Sequence, residues 1–305
     1  MTKEKPTDMA ASVRQRLLNL AQETKEDFQL VLTRYAIERM LFRLSRSDYR
    51  QRFVLKGAVL FQTWSKRMHR ATLDLDLHGV GESELGAVRS VFASVCRQPV
   101  ENDGISFDPE SVEVEEIRED QEYKGVRIRV SAAIGVAKIP VQIDVGFGDA
   151  ITPKPVSIDF PSLLGLPAPH LKAYPKETVV AEKYQAMVKL GIANSRMKDF
   201  FDLWVLASES AFDGAILCRA IGATFKRRQT ALPTDTPLAL TAEFADDATK
   251  QLQWGGFIRK GRLTVQPVAL AEVVERLSEF LMPPTIALRE KEHFTRSWQA
   301  GGPWK

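Results

Sequence analysis

Apolar and polar positions change rhythm several times along the chain. Over residues 8–50 the apolar residues Leu17, Leu18, Leu20, Phe28, Leu30, Val31, Leu32, Tyr35, Ile37, Met40 and Leu41 recur at three- and four-residue intervals, which predicts helices. In FVLKGAVLFQTW, Phe53 to Leu55 reads as a short strand, Lys56-Gly57 as a turn, and a helix begins near Ala58. The stretch TLDLDLHG then alternates strictly, setting Leu73, Leu75 and Leu77 against Asp74 and Asp76. Alternate residues of a strand share a face, so the leucines are expected in a core and both carboxylates on the opposite side. Residues 82–98 return to helical spacing through Leu85, Val88, Val91, Phe92 and Val95.

Three further segments, VEVEEIRED, GVRIRVSAAI and KIPVQIDVGFGD, alternate with period two and predict an antiparallel meander. In the last of them Val141, Ile143, Val145 and Phe147 point one way and Asp144 the other. Strand, helix and strand followed by a meander predict a small mixed sheet with helices on one side, an α+β fold. Six prolines within residues 153–175 mark a boundary or crossing segment. Beyond it the pattern is mainly helical, over about 176–225 and around 268–281, with a short hairpin expected at QWGGFIRKGRLTV. The expected division is an N-terminal helical segment at 1–50, a sheet-bearing core at 51–160 and a mainly helical domain at 161–305.

Composition narrows the class. The chain has 305 residues, 44% hydrophobic and 27% charged, as expected of one large or two modest globular domains. A net charge of +3 does not mark a nucleic-acid binder by itself. Two local basic clusters, Lys66, Arg67, His69 and Arg70, and later Lys226, Arg227 and Arg228, read first as solvated surface, the second more so. Cys96 and Cys218 are too few for a disulfide framework or a zinc site. No apolar run approaches the roughly 20 residues of a membrane span, and the charged N-terminus shows no signal-peptide apolar region. A cytoplasmic protein is expected.

Asp74, Asp76 and Asp144 thus project from strand faces opposite the core. Grouped carboxylates repel unless cations neutralise them, and magnesium takes oxygen ligands alongside phosphates. Lys183 raises a second question, because it falls inside the apolar stripe Val179, Val180, Tyr184, Met187 and Val188. Either its stem packs while the ammonium reaches solvent, or the ammonium faces anionic company such as a triphosphate tail. On the second alternative, Lys183→Met is expected to leave folding nearly unchanged or improved. In RMKDFFDLWVL, Asp199 and Asp202 share a helix face at i and i+3; the alternatives are surface charge, with Lys198 paired to Asp202, and a functional pair.

Lys56-Gly57, a helix, a basic linker and Thr72-Leu73-Asp74-Leu75-Asp76-Leu77 resemble the opening motif of the nucleotidyltransferase fold. The resemblance is closest to the AbiEii/AbiGii-type nucleotidyltransferase toxins. Asp144 matches that fold's third carboxylate, and Glu182-Lys183, Arg196, Lys198-Asp199 and Phe201-Asp202-Leu203 are similar to the later helical motifs. The resemblance implies a magnesium-dependent enzyme that moves a nucleotide from a nucleoside triphosphate to an acceptor, an RNA such as a tRNA 3′ end. It also implies a cognate antitoxin. Asp74, Asp76 and Asp144 would hold the metal. Lys56, Gly57, Ala58, Arg70, Thr72 and Lys183 would meet the nucleotide, and Asp199 or Asp202 would position Lys183 or the nucleotide. Gly57-Ala58-Val59 departs from the family, which carries glycine or serine after the first glycine and then a small hydroxyl residue or glycine, so a side-chain hydroxyl ligand is missing here. Two other readings stay open: an inactive relative that binds RNA or protein, and a metal-dependent phosphoesterase.

Overall fold

The computed structural model describes residues 8–65, 69–120, 123–265 and 268–305, so Lys66 and Arg67 of the first basic cluster lie outside the described residues. The chain forms two compact units, residues 1–66, 72–148 and 157–173 in the first and 67–71, 149–156 and 174–305 in the second.

The first unit opens with helices α1 (Met9–Thr24) and α2 (Phe28–Arg46). Each is started by an aspartate that accepts a backbone N–H, Asp8 from Ala11 at 2.9 Å and Asp27 from Leu30 at 3.2 Å. Such caps are each worth about 1 kcal/mol. Strand β1 (Phe53–Lys56), a 3₁₀ turn at Ala58–Leu60, helix α3 (Phe61–Ser65), strand β2 (Asp74–Gly79) and helix α4 (Leu85–Cys96) follow in order. Strands β3 (Ser106–Phe107), β4 (Glu113–Asp120), β5 (Tyr123–Ile134), β6 (Ala137–Phe147), β7 (Val156–Asp159) and β8 (His170–Ala173) complete the sheet.

Strand order is β3-β5-β6-β2-β1-β8-β7, with β4 also paired to β5. β2 runs parallel to β6 and antiparallel to β1, and the expected meander of β4, β5 and β6 is antiparallel throughout. The sheet is therefore mixed. Leu75 and Leu77 on β2, Ile143 and Val145 on β6 and Ile128 and Val126 on β5 are at most 1% exposed and stand in register across the sheet. At about 1.5–3 kcal/mol for each large side chain, this apolar face is what fixes the sheet. Leu73 does not join it. It precedes β2 and is 50% exposed.

The second unit holds α5 (Lys176–Leu190), α6 (Met197–Glu209), α7 (Gly214–Arg227), α8 (Ala242–Asp246), α9 (Ala248–Lys260) and α10 (Leu270–Glu290), with a two-stranded pairing of Phe212–Asp213 and Ser297–Trp298. Three expectations change here. Of the segment expected as a hairpin at QWGGFIRKGRLTV, residues 253–260 form the second half of α9 and 261–265 lie beyond its end. Its Trp254 and Phe257, one turn apart, pack together and Phe257 lies against Phe201, with ring centroids at 5.6 and 5.5 Å. That packing and the Asp247 cap, which accepts from Lys250 N at 2.9 Å, outweigh two helix glycines.

Helix α10 also runs past 281, through Pro283 and Pro284. Pro284 has no N–H for the carbonyl of Phe280, and Trp304 Nε1 donates to that oxygen instead at 3.0 Å. The second basic cluster is only partly solvated surface: Lys226 and Arg227 are exposed, but Arg228 bonds Asp149 at 2.9 Å.

Candidate active site

In the first unit the site is built by strand register. Lys56 on β1 stands opposite Asp76 on β2, Asp76 opposite Asp144 on β6, and Asp144 opposite Arg127 on β5. Residues paired in this way point to the same face of a sheet. The polar face therefore carries a row of one cation, two anions and a second cation across four strands. Asp74, two residues before Asp76, adds a third carboxylate beside Gln142. At strand spacing, two carboxylates repel by roughly 3 kcal/mol when the effective dielectric is near 20, so the row's cations have work to do. Arg127 grips Asp144 with two bonds, Nε to Oδ1 at 2.8 Å and Nη2 to Oδ2 at 2.7 Å. Those hydrogen bonds raise the Arg127 pKa further above its already high ordinary value.

Gly57 ends β1 with φ 78°, a conformation that favours glycine. A Cβ there would lie 2.0 Å from Asp76 Oδ2 and 2.6 Å from Asp76 Cγ. The glycine thus makes room for the Asp76 side chain itself. Ala58, next in the turn, is 8% exposed, and Thr72 lies half-buried just ahead of β2.

As a donor set, three aspartates on one face suit a hard divalent cation, which takes oxygen ligands. As they stand, no three His, Cys, Asp or Glu side chains among the described residues are grouped to hold a metal ion. Asp144 is committed to Arg127.

The second unit buries a separate charge cluster. Lys183 on α5 reaches Asp199 Oδ1 at 2.5 Å and Asp202 Oδ2 at 2.9 Å, both on α6. Asp199 also accepts from Arg196 Nε at 2.6 Å. Asp202 is held by Arg70 in a two-pronged pair at 2.7 and 2.8 Å, with His69 Nε2 3.8 Å away. The Asp199 and Asp202 side chains are at most 1% exposed and that of Lys183 15%. Burial alone would deprotonate Lys183, but the two carboxylates outweigh it and hold its pKa above the ordinary lysine value. Burial alone would protonate the aspartates. Lys183 and Arg196 reverse this at Asp199, Arg70 and Lys183 at Asp202, and both pKa values lie below the ordinary carboxylate range. The snorkelling alternative for Lys183 is thereby removed. So is the pairing of Asp202 with Lys198, for Asp202 faces inward to Arg70 and Lys183.

Each unit brings its own expected residues together: Lys56, Gly57, Asp74, Asp76 and Asp144 in the first, Arg70, Lys183, Asp199 and Asp202 in the second. Sequence reasoning missed Arg127. Its signal was the alternation of GVRIRV, which puts Arg127 and Arg129 on the polar face of β5, but the partner of each depends on register.

The family model described as nucleotidyl transferase AbiEii toxin, type IV TA system, matches residues 39–281. Among solved structures, the chain is similar to a candidate nucleotidyltransferase from H. pylori, with 16% identity, TM-score 0.49, and coverage of 85% of this chain and 96% of that one. It is also similar to JHP933 from Helicobacter pylori, with 16% identity, TM-score 0.48, and coverage of 84% and 92%. No curated protein matches the chain.

Proposed function

Because the chain belongs to the AbiEii nucleotidyl transferase toxin family of type IV toxin–antitoxin systems, we propose that it is a magnesium-dependent toxin that transfers a nucleotide from a nucleoside triphosphate to an RNA 3′ end, a tRNA among the acceptors. A cognate antitoxin belongs to this reading. The observation that carries it is the placement of Asp74, Asp76 and Asp144 on one sheet face, with Gly57 left bare so that Asp76 fits. Mutual repulsion makes that arrangement costly, and a divalent cation offsets it more fully than Lys56 and Arg127 alone.

Asp74, Asp76 and Asp144 would hold the magnesium, which when bound neutralises phosphate charge and favours attack by an oxygen nucleophile. Asp144 has a second task in this reading, accepting the proton of the acceptor hydroxyl, and Arg127 fixes the direction in which its oxygens point. Lys56 adds positive charge at the β1 end of the row. Lys183 is assigned the neutralisation of phosphate charge, while Asp199 and Asp202 hold its ammonium at a defined place. Arg70 and Thr72 bracket the chain's entry into β2 and are assigned contacts to the nucleotide.

The test is incubation with each labelled nucleoside triphosphate, magnesium and total RNA. Label on RNA with release of pyrophosphate is expected, and Asp74→Ala or Asp76→Ala should abolish both while melting stays close to wild type. Inorganic phosphate without labelled RNA would establish the phosphoesterase reading instead. A second reading, an inactive relative that binds RNA or protein, is favoured by the Arg127–Asp144 pair, which occupies the third carboxylate. It requires no transfer with any nucleotide.

A further inference from the structure

The second unit opens a cavity of about 570 Å³ between the first turn of α6 and the C-terminal half of α9. Its lining carries three cationic side chains, Arg196, Lys198 and Lys260, and no acidic one. Lys198 and Lys260 are exposed, so they are available to a ligand. Gly256 forms part of the wall. A Cβ there would meet only the Arg259 guanidinium, at 4.0 Å, and neither Gly255 nor Gly256 has positive φ. Each glycine inside a helix costs about 1 kcal/mol relative to alanine. At Gly256 neither packing nor backbone conformation accounts for that cost. A bare stretch of helix backbone beside a cationic cavity suits a bulky anion that must come close. Phe257 adds an apolar flank on which a sugar or base can lie.

The absence of carboxylates from the lining separates two phosphate sources. A nucleoside triphosphate travels with a divalent cation and calls for oxygen ligands to hold it. A phosphodiester carries one charge per phosphate and is met by lysine and arginine alone. We propose that this cavity seats a backbone phosphate of the acceptor RNA; the proposal rests on the RNA-acceptor reading above.

The test measures binding of fluorescently labelled total tRNA by anisotropy across a range of salt, beside binding of a fluorescent nucleoside triphosphate. The variants are Lys198→Gln/Lys260→Gln and Gly256→Leu, with Gly256→Ala as the control. The double variant should bind RNA roughly tenfold more weakly, and its log–log salt slope should flatten by about 1.4, two contacts at about 0.7 each for single-stranded RNA. Gly256→Leu fills the floor and should weaken RNA binding similarly while melting at or above the wild-type temperature. Gly256→Ala should bind within about twofold of wild type, since its methyl enters open space. Triphosphate binding should be unchanged in all three.

Wild-type RNA affinity and salt slope in both the double variant and Gly256→Leu would overturn the proposal, as would loss of triphosphate binding with RNA binding intact. A wild-type protein that labels RNA while the variants keep normal RNA affinity sinks the cavity assignment and spares the transferase. RNA held through the cavity but never labelled sustains the cavity assignment and sinks the transferase.

Discussion

Replacing Lys183 with methionine removes one ammonium from between two buried carboxylates while keeping most of the packed stem. The structure reverses the expectation that folding would be unaffected, because Asp199 and Asp202 are both ligated by that ammonium, at 2.5 and 2.9 Å. Removing one partner of a buried ion pair costs about 3–5 kcal/mol. Asp199 keeps Arg196 and Asp202 keeps Arg70, so the lower figure applies, about 3 kcal/mol. In a unit of this size that lowers the melting temperature by about 6–12 °C.

The pH dependence follows with definite signs. The depressed aspartate pKa values contribute stability present above about pH 4 and lost as pH falls through their folded values; the raised Lys183 value contributes stability present below about pH 10 and lost as pH rises through it. Lys183→Met should therefore move the acid unfolding limb to higher pH, because the aspartates lose a cation. Calorimetry and circular dichroism across pH read both effects, and adding Asp199→Asn should recover part of the loss. Melting at or above the wild-type temperature by Lys183→Met alone would refute the counter-ion argument.

Three further outcomes are expected. Gly57→Ala forces a Cβ onto the Asp76 side chain at a positive φ, so nucleotide transfer should collapse while stability, checked by calorimetry, falls by about 1–3 kcal/mol. Arg127→Met frees Asp144 and leaves the row more negative; Mn²⁺ binding followed by electron paramagnetic resonance should tighten roughly fivefold, a gain of about 1 kcal/mol in keeping with a pair whose side chains are 29% and 18% exposed, and unchanged or weaker binding would count against it. Trp304→Phe keeps an aromatic ring against Phe280 but strips the donor from the Phe280 carbonyl, and chemical denaturation should show a loss of about 1–3 kcal/mol.

What could be read from the sequence was whatever local period determines. Alternation located β2, β5 and β6 and assigned Asp74, Asp76 and Asp144 to the polar face, since side-chain direction in a strand needs no knowledge of partners. Helical spacing found α1, α2 and α4 to α7. The failures are all long-range. Leu73 lies outside the strand that its alternation suggests, and α9 survives two glycines because Trp254 and Phe257 pack where a local reading sees a turn. Helix α10 continues through two prolines, and Trp304, far along the chain, supplies the donor that Pro284 lacks. Arg127 was invisible as a partner of Asp144 because 17 residues separate them and only the β5–β6 register joins them.

The charged row has a consequence for how the chain finds its fold. A one-residue slip of β2 between β1 and β6 would turn Leu75 and Leu77 out to the polar face and drive Asp74 and Asp76 into the apolar core. That forfeits two leucine burials and adds the desolvation of two carboxylates, so the slipped pairing is strongly disfavoured. Were both aspartates leucine, residues 73–77 would be five leucines in succession, and the two faces of β2 would be nearly interchangeable. The same carboxylates that are assigned the chemistry thus tell the central strand which way is up, and a swap to apolar residues would erase, along with the activity, the mark that distinguishes the correct register from its slipped neighbours.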